Sequence, residues 1–489
     1  MGIATMGRSN ITSINNDIKM TSQKLAKSFE RLSSGKRLVS SADEPSTIFI
    51  SERLNSQVAS LDQAIQNTEV DVSMLQVADS SLSDLSSILI RMRQLAVQGA
   101  NESILTQEEK QLIQREYMAL LDAFDDIVKS TKFSGKSLLD GSSATSGNVA
   151  SSEVEFVKGS SKNKTTGPEG LDLVITQGAT RSHWVAGDYI DEDIVADEDV
   201  TFKIIENGKV ASYKSNPTDT PSSVASALQI SAEKAGLDVT VTLEDEKLLI
   251  YHNKFGSEHT FQVESSYDGL LSDDEGIPNE AILGKDVEGI LGDFKLRGRG
   301  QILEGDAGTE MEGLVLRYTA LYEFQEGIYG LEDEGGERNA GKVFLENNSL
   351  IFQTGIEHGS KQSLSLQNLH TNNLARGVIN TNEFKNLREI DMSTHNGASD
   401  SILLLDNAIG HVNEVRSEVG AVQKYGLEMK LDNLRVMKEN ISAAKSTITD
   451  TDYAEELSQM IKSRMMLENQ YVIAAQANKK LMNLENLLD

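Results

Sequence analysis

The stretch Ile11–Gly35, ITSINNDIKMTSQKLAKSFERLSSG, sets Ile11, Ile18, Leu25 and Leu32 seven residues apart, with Ile14 and Phe29 widening the stripe. A seven-residue apolar repeat runs along one side of a helix and calls for a partner helix to cover it. Gly35 is placed to end that helix. A mostly polar loop, Leu38–Glu44, follows, and Pro45 opens a second helix, since proline is tolerated in a first turn. Ile50, Leu54, Leu61, Ile65, Val72, Leu75, Leu82, Leu85, Leu89, Met92 and Leu95 mark its apolar side. Unbroken from 46 to 98, it would span about 80 Å, which suits a rod or tube better than a compact domain. A third helix starts at Thr106, where Glu109 completes a capping box, and Ile113, Leu120, Phe124 and Ile127 form its buried face.

The far end of the chain repeats this character. Over 397–486 a helical stripe begins with Ile402, Ile409 and Val412 and continues through Leu431, Leu434, Met437, Ile441 and Ile448. Leu457, Met460, Leu467, Tyr471, Ala474 and Leu481 form the terminal seam. The five prolines stand at 45, 168, 217, 221 and 278, so nothing interrupts helix after 278.

Between the ends the pattern changes. Residues 142–168 are rich in Ser, Gly, Asn and Thr and read as a linker. From about 170 to 370 short alternating runs appear. Val200–Ile205, the turn Asn207-Gly208 and Val210–Tyr213 predict a hairpin. Ser222–Ala235 predicts a helix, and Val239–Leu243 and Leu248–His252 predict two more strands. The fold class is therefore mainly α. Long antiparallel, coiled-coil-like helices from both chain ends form a rod around an α+β, β-rich central insertion.

Composition narrows the function. Of the 489 residues 38% are hydrophobic and 5% aromatic, thin for one large globular core. A formal charge of −29 opposes binding to nucleic acid or anionic lipid, and it obliges any polymer to bury enough apolar surface to overcome repulsion. No run approaches the ~18 apolar residues of a membrane span. The N-terminus has no apolar core of signal-peptide length, so the chain is expected to be either cytoplasmic or exported by a route that reads no such signal.

Nothing in the chain suggests catalysis or a cofactor. There are no cysteines, which removes thiol chemistry and thiolate metal sites. The seven histidines include no HExxH pair and no pair at ligand spacing on one helix. There is no GxxxxGK[ST] loop, and the GxG within Leu296–Gly300 has no phosphate-binding helix behind it. The acidic run Asp188, Asp191, Glu192, Asp193, Asp197, Glu198 and Asp199 lacks the spacing and turn glycine of an EF-hand, so it reads as a solvated face, with no metal assigned. Sequons at Asn10, Asn101, Asn163, Asn347 and Asn440 read as chance.

Several motifs, in order at both ends, resemble bacterial flagellins. Glu30–Leu38 (ERLSSGKRL), Ile50–Leu54 (ISERL), Arg91–Gln98 (RMRQLAVQ) and Phe133–Gly141 (FSGKSLLDG) resemble the family's N-terminal region. Glu439–Ser446 (ENISAAKS), Thr449–Ala454 (TDTDYA) and Gln476–Asn478 resemble its C-terminal signature. The likeness covers 1–141 and 397–489. Residues 186–266 resemble a small β-rich insertion of some flagellins and filament-cap proteins, and Gly300–Gly305 and Gly308–Leu314 resemble a segment of the same groups. Pro45-Ser46-Thr47 departs toward the hook–filament junction proteins, and Lys479-Lys480-Leu481 replaces an apolar or proline-containing run.

The resemblance implies a structural subunit that polymerises into the flagellar filament after type III export, and not an enzyme. The alternatives are a hook–filament junction protein or a surface adhesin on a flagellin frame. It implies that 1–43 and 453–489 form the inner filament core, 44–145 and 397–452 an outer tube, and 146–396 a surface-exposed insertion. The assembly seam would be Ile11, Ile18, Leu25, Leu32, Leu457, Met460, Leu467 and Leu481. Partners would be the chain itself as a helical homopolymer, the filament cap, the hook-junction proteins and an export chaperone. Arg91, Leu95 and Glu116 match positions that contact the flagellin-sensing Toll-like receptor in receptor-activating members. Free ends are expected to be poorly ordered until neighbours cover them.

Overall fold

The computed structural model describes residues 2–485 except 41–43, 102–104, 188–189, 191–199, 245, 268–269, 272–275, 320–322, 325–327, 330–336, 379 and 383; for 2–11, 323–324, 328–329 and 481–485 it describes the backbone alone. The helices, in chain order, are α1 (Gly2–Ser34), α2 (Pro45–Gly99), α3 (Gln107–Ser130), α4 (Pro221–Ala235), α5 (His395–Ala421), α6 (Met429–Thr449) and α7 (Tyr453–Glu485). Two compact units result. One holds residues 1–73, 352–362 and 421–489, the other 74–351 and 363–420.

In the first unit α1 ends where expected, with Gly35 at φ +68°. α2 runs unbroken from Pro45. Leu61, Ala64 and Leu434 form a small core flanked by Ile65 and Ile441, and the ion pairs Glu69–Arg435 (2.7 Å) and Asp62–Lys438 (2.5 Å) line α2 and α6 up antiparallel. Periodicity did not foresee the π-helical turns Val422–Glu428 that lead into α6. A glycine in that stretch, Gly426, lowers the preference for a regular α-helix.

In the second unit residues 74–99 of α2 pack with α3 and α5. Leu75, Leu82, Leu85, Leu89, Met92, Tyr117, Leu121, Phe124, Leu404, Leu405 and Val412 are fully buried. The Thr106–Glu109 capping box is formed on both sides. Beyond the helices an eight-stranded antiparallel sheet runs in the spatial order Thr145–Val149, Arg338–Asn347, Leu171–Gln177, Glu288–Leu291, Phe294–Arg299, Ile302–Gly305, Val315–Tyr318, Val154–Lys158. The segment 142–168 is thus no linker, for it supplies both edge strands of this sheet. Its Ser- and Gly-rich composition hid them; Gly147 is small because the Phe156 ring lies where its Cβ would go.

The smaller α/β part follows the sequence pattern closely. Thr201–Glu206 and Lys209–Lys214 form the hairpin, with Asn207 and Gly208 at φ +49° and +79°, both positive as a type I′ turn requires. Thr220 caps α4, and Val239–Glu244 pairs with Lys247–Phe255. Their apolar sides enclose one core, including Phe202, Ile204, Val224, Leu228, Val241, Ile250 and Phe261. Both chain ends are therefore helical and the middle is β-rich. The acidic run at 188–199 lies outside the described residues.

Candidate assembly surface

The two chain ends meet in the first unit. α1 and α7 lie antiparallel, and their covered positions alternate four and three apart: Ile14, Ile18, Thr21, Leu25, Ser28, Leu32 and Gly35 on one, Glu456, Met460, Ser463, Leu467, Gln470, Ala474 and Ala477 on the other. The stripe of α1 is thus not bare, as a lone helix would leave it, because α7 of the same chain covers part of it. The most buried seam residues are small or polar (Thr21, Ser28, Ser463, Glu456), while Ile18, Leu25, Leu32, Met460 and Leu467 stay half-buried. Small residues let the backbones approach, and the large apolar groups are left flanking the contact, half open to a further partner.

Of the predicted seam, Ile18, Leu25, Leu32, Met460 and Leu467 therefore come together, and the side chains of Ile11 and Leu481 lie outside the described residues. Leu457 does not join them. Its neighbour Glu456 takes the seam position and Leu457, 46% exposed, turns about 100° away. It begins a second stripe with Ile461, Met465 and Val472, and Met466, Tyr471 and Ile473 are exposed too. Met465 and Val472 keep 60% and 59% of their surface in water. Around 465–473, α7 is apolar on nearly every side, a pattern that belongs to a helix buried all round. On α1, Met20 and Phe29 are also exposed.

The quoted N- and C-terminal motifs prove to be neighbours. Arg31 Nη1 lies 3.5 Å from the buried Glu456 carboxylate. The Arg37 amide donates to Thr449 O (2.8 Å), its guanidinium donates to Ile448 O (3.0 Å) and to Glu44 (2.9 Å), and the Thr451 amide donates to Gly35 O (3.0 Å). Along the sequence ERLSSGKRL and TDTDYA stand as separate signatures. Only folding brings residues more than 400 positions apart into one clasp.

The receptor-matched residues divide. Arg91 and Glu116 are exposed and joined by two hydrogen bonds, 3.0 Å from Nε and 2.6 Å from Nη2. Leu95 is 1% exposed, so it presents no surface to a partner in this fold.

One titratable group stands out in the first unit. Half-burial in α2 pushes the Asp71 carboxyl up from 3.8 to about 6, and no ion pair offsets it among the described residues. With the folded value above the unfolded one, its favourable contribution is complete below about pH 4 and is lost as pH rises through 6. Asp71→Asn is expected to raise stability at pH 7 by roughly 1–2 kcal/mol and to flatten the stability profile between pH 4 and 6, measured by urea unfolding across that range. A destabilised variant at pH 7 would refute this.

No group of three or more His, Cys, Asp or Glu is placed to hold a metal ion among the described residues, and no described helix is long and apolar enough to cross a membrane. His252 is spoken for: its Nδ1 accepts from the Lys254 amide (2.9 Å) and its Nε2 faces Glu206 at 3.2 Å.

Comparison with known proteins points one way. A family model of the bacterial flagellin N-terminal helical region matches residues 7–144, and one of the bacterial flagellin C-terminal helical region matches 402–488. Polar flagellin C of Vibrio parahaemolyticus is 26% identical over 462 residues, 94% of this chain and 93% of its own length. A flagellin of Clostridium tyrobutyricum is 25% identical over 471 residues, 95% of this chain and 96% of its own. Among solved structures, FliC from Burkholderia pseudomallei aligns at 17% identity over 72% of this chain and 98% of its own, with a TM-score of 0.27.

Proposed function

The chain belongs to the bacterial flagellin family, and from that premise we propose how it serves as a structural subunit of the extracellular flagellar filament. The observation that carries the mechanism is the state of α7. Around 465–473 it is apolar on most sides, yet α1 covers only one side. Burying an exposed Leu, Met or Val is worth about 1.5–3 kcal/mol per side chain, so a ring of neighbouring copies around α7 gains enough to offset ordering entropy and the repulsion of a −29 chain. Polymerisation needs no bound cofactor and no reaction. Flagellins are structural proteins, and we read this one as non-enzymatic.

In this reading the helices of both ends form a coiled-coil-like rod. Residues 1–43 and 453–489 line the inner core, 44–145 and 397–452 form an outer tube, and 146–396 faces solvent. The half-open seam residues Ile18, Leu25, Leu32, Met460 and Leu467, together with Ile11, Leu481 and the second stripe from Leu457, contact other copies. The cap, the hook-junction proteins and an export chaperone complete the partners. Purified chain added to sheared filament fragments should grow filaments visible by electron microscopy. Met465→Glu/Val472→Glu should stop growth, since each charge would have to be desolvated at a contact, while the circular dichroism of the soluble chain stays unchanged. Normal growth of that variant would sink the proposed packing.

The Arg91–Glu116 pair is the exposed feature through which the Toll-like receptor would recognise the chain, with Leu95 buried one turn further along α2. Arg91→Ala is expected to lower receptor activation at least tenfold, the worth of about 1.4 kcal/mol, in a cell-based reporter assay with soluble protein. Undiminished activation would remove the proposed contact.

A further inference from the structure

We propose that Arg31, Arg37 and Glu456 are positioning residues that set the register in which α1 lies on α7, and thereby which apolar side chains each subunit turns toward its neighbours; the consequence for assembly rests on the filament reading above. The need for such a device follows from the seam itself. On α1 the covered positions repeat every seven residues with nearly the same sizes: Thr21 then Ser28, Ile18 then Leu25 then Leu32. On α7 Met460 is followed by Leu467, and Ser463 by the equally polar Gln470. Sliding one helix past the other by a heptad, about 10 Å, sets the large groups of α1 against Met460 or Leu467 once more, although Gln470 then takes the place of Ser463 and Ala474 that of Leu467. On α1, where the heptads match in size, side-chain packing separates the two registers only weakly.

Glu456 does separate them. It is the single acidic residue at a seam position, it is buried, and Arg31 is the cation that faces it at 3.5 Å. A heptad slide carries Arg31 away: in one direction Leu38 comes up in its place and strands the carboxylate, where an unpaired charge is strongly disfavoured, and in the other only the shorter-headed Lys24 replaces the guanidinium. One polar residue at a seam position is a known way to hold helices in a single register. Arg37 adds a second fixing at the same end. Its guanidinium donates to the Ile448 carbonyl and to Glu44, beside a backbone bond from its amide to Thr449 O that does not depend on the side chain. Gly35, at φ +68° and 3.3 Å from the Tyr453 hydroxyl as a Cβ would be placed, lets the chain turn into that clasp. A slipped subunit would present its half-open leucines a full heptad out of step with its neighbours.

The chain has no cysteine, so two can be introduced cleanly, at the exposed Lys24 and Lys462. Spin labels there report the register as a distance, in the soluble full-length chain and in filaments diluted with unlabelled subunits. The otherwise native chain should give one narrow distance. Arg31→Met/Arg37→Ala/Glu456→Met should add a second population displaced by up to about 10 Å and slow seeded growth at least tenfold. Arg31→Glu/Glu456→Arg, with Arg37 retained, should restore the single distance, which a general loss of packing would not do. A triple variant with the native distance alone, or a native chain with a broad distribution, overturns the proposal. If native chain fails to grow on seeds, it is the filament reading that falls, and the distances in the soluble chain still decide the register.

Discussion

Deleting residues 1–35, or 453–489, is expected to abolish filament growth while the central β-rich region stays folded. The first deletion removes α1 and leaves the α7 seam without its cover; the second removes the helix that exposes more large apolar side chains than α1 among the described residues. Either way the loss amounts to several buried large side chains per subunit, each worth about 1.5–3 kcal/mol, and no surviving contact of the end helices replaces them. The central region has cores of its own. Leu173, Ile175, Leu296, Leu303 and Leu316 pack within the eight-stranded sheet, and Phe202, Ile250 and Phe261 pack around α4. The only tryptophan, Trp184, packs against the second of these cores, so its fluorescence reports that region alone. The measurements are seeded growth by sedimentation and electron microscopy, and the emission and melting of Trp184. Filaments from trimmed chains, or a Trp184 signal typical of unfolded protein, would contradict the expectation.

Asp125→Ala should be the most damaging single substitution in the helical part of the second unit, costing about 3 kcal/mol. Its side chain is 8% exposed and gathers four donors: the Thr371 amide and hydroxyl (both 3.0 Å), His370 Nδ1 (3.3 Å) and Arg388 Nη1 (3.1 Å). Burial works against the charge, yet the hydrogen bonds from Thr371 and His370 outweigh it and hold the carboxyl below its ordinary range. Removing the carboxylate leaves these donors facing an apolar hole. Because the folded value is depressed, the stabilisation is present above the unfolded value near 4 and is lost as pH falls through the folded value. The native chain should therefore lose stability on acidification below about pH 4, and Asp125→Ala should lose less over the same range, since the group that titrates is gone. Urea unfolding at pH 7 and pH 3 tests both statements. Equal losses in the two proteins would assign the acid sensitivity elsewhere.

The two predicted effects differ in how far the chain announces them. The heptads of α1, the unbroken α2, the capping box at Thr106 and the strand–strand–helix–strand–strand order around Asn207-Gly208 are local. Spacing of apolar residues and turn chemistry specify them without reference to anything distant, and the structure reproduces them within a few residues. The edge strands in 142–168 escaped because each is five residues long and gains its hydrogen bonds from strands over 150 residues away, which composition cannot register.

By itself, the sequence determined that both ends are helices with apolar stripes, that a β-rich region separates them, that thiol and phosphate-loop chemistry are absent, and that the end motifs are those of flagellins. Tertiary structure alone decided that ERLSSGKRL closes on TDTDYA, that Glu456 rather than Leu457 sits in the seam, that Leu95 is covered while Arg91 and Glu116 are open, and that Asp125 collects four donors from one distant segment. The physical reason is one of range. Periodicity states which side of a helix seeks cover, because that depends on neighbours one or two turns away. Which element provides the cover, and which group one residue aside is turned to water, depends on where the chain returns after hundreds of residues.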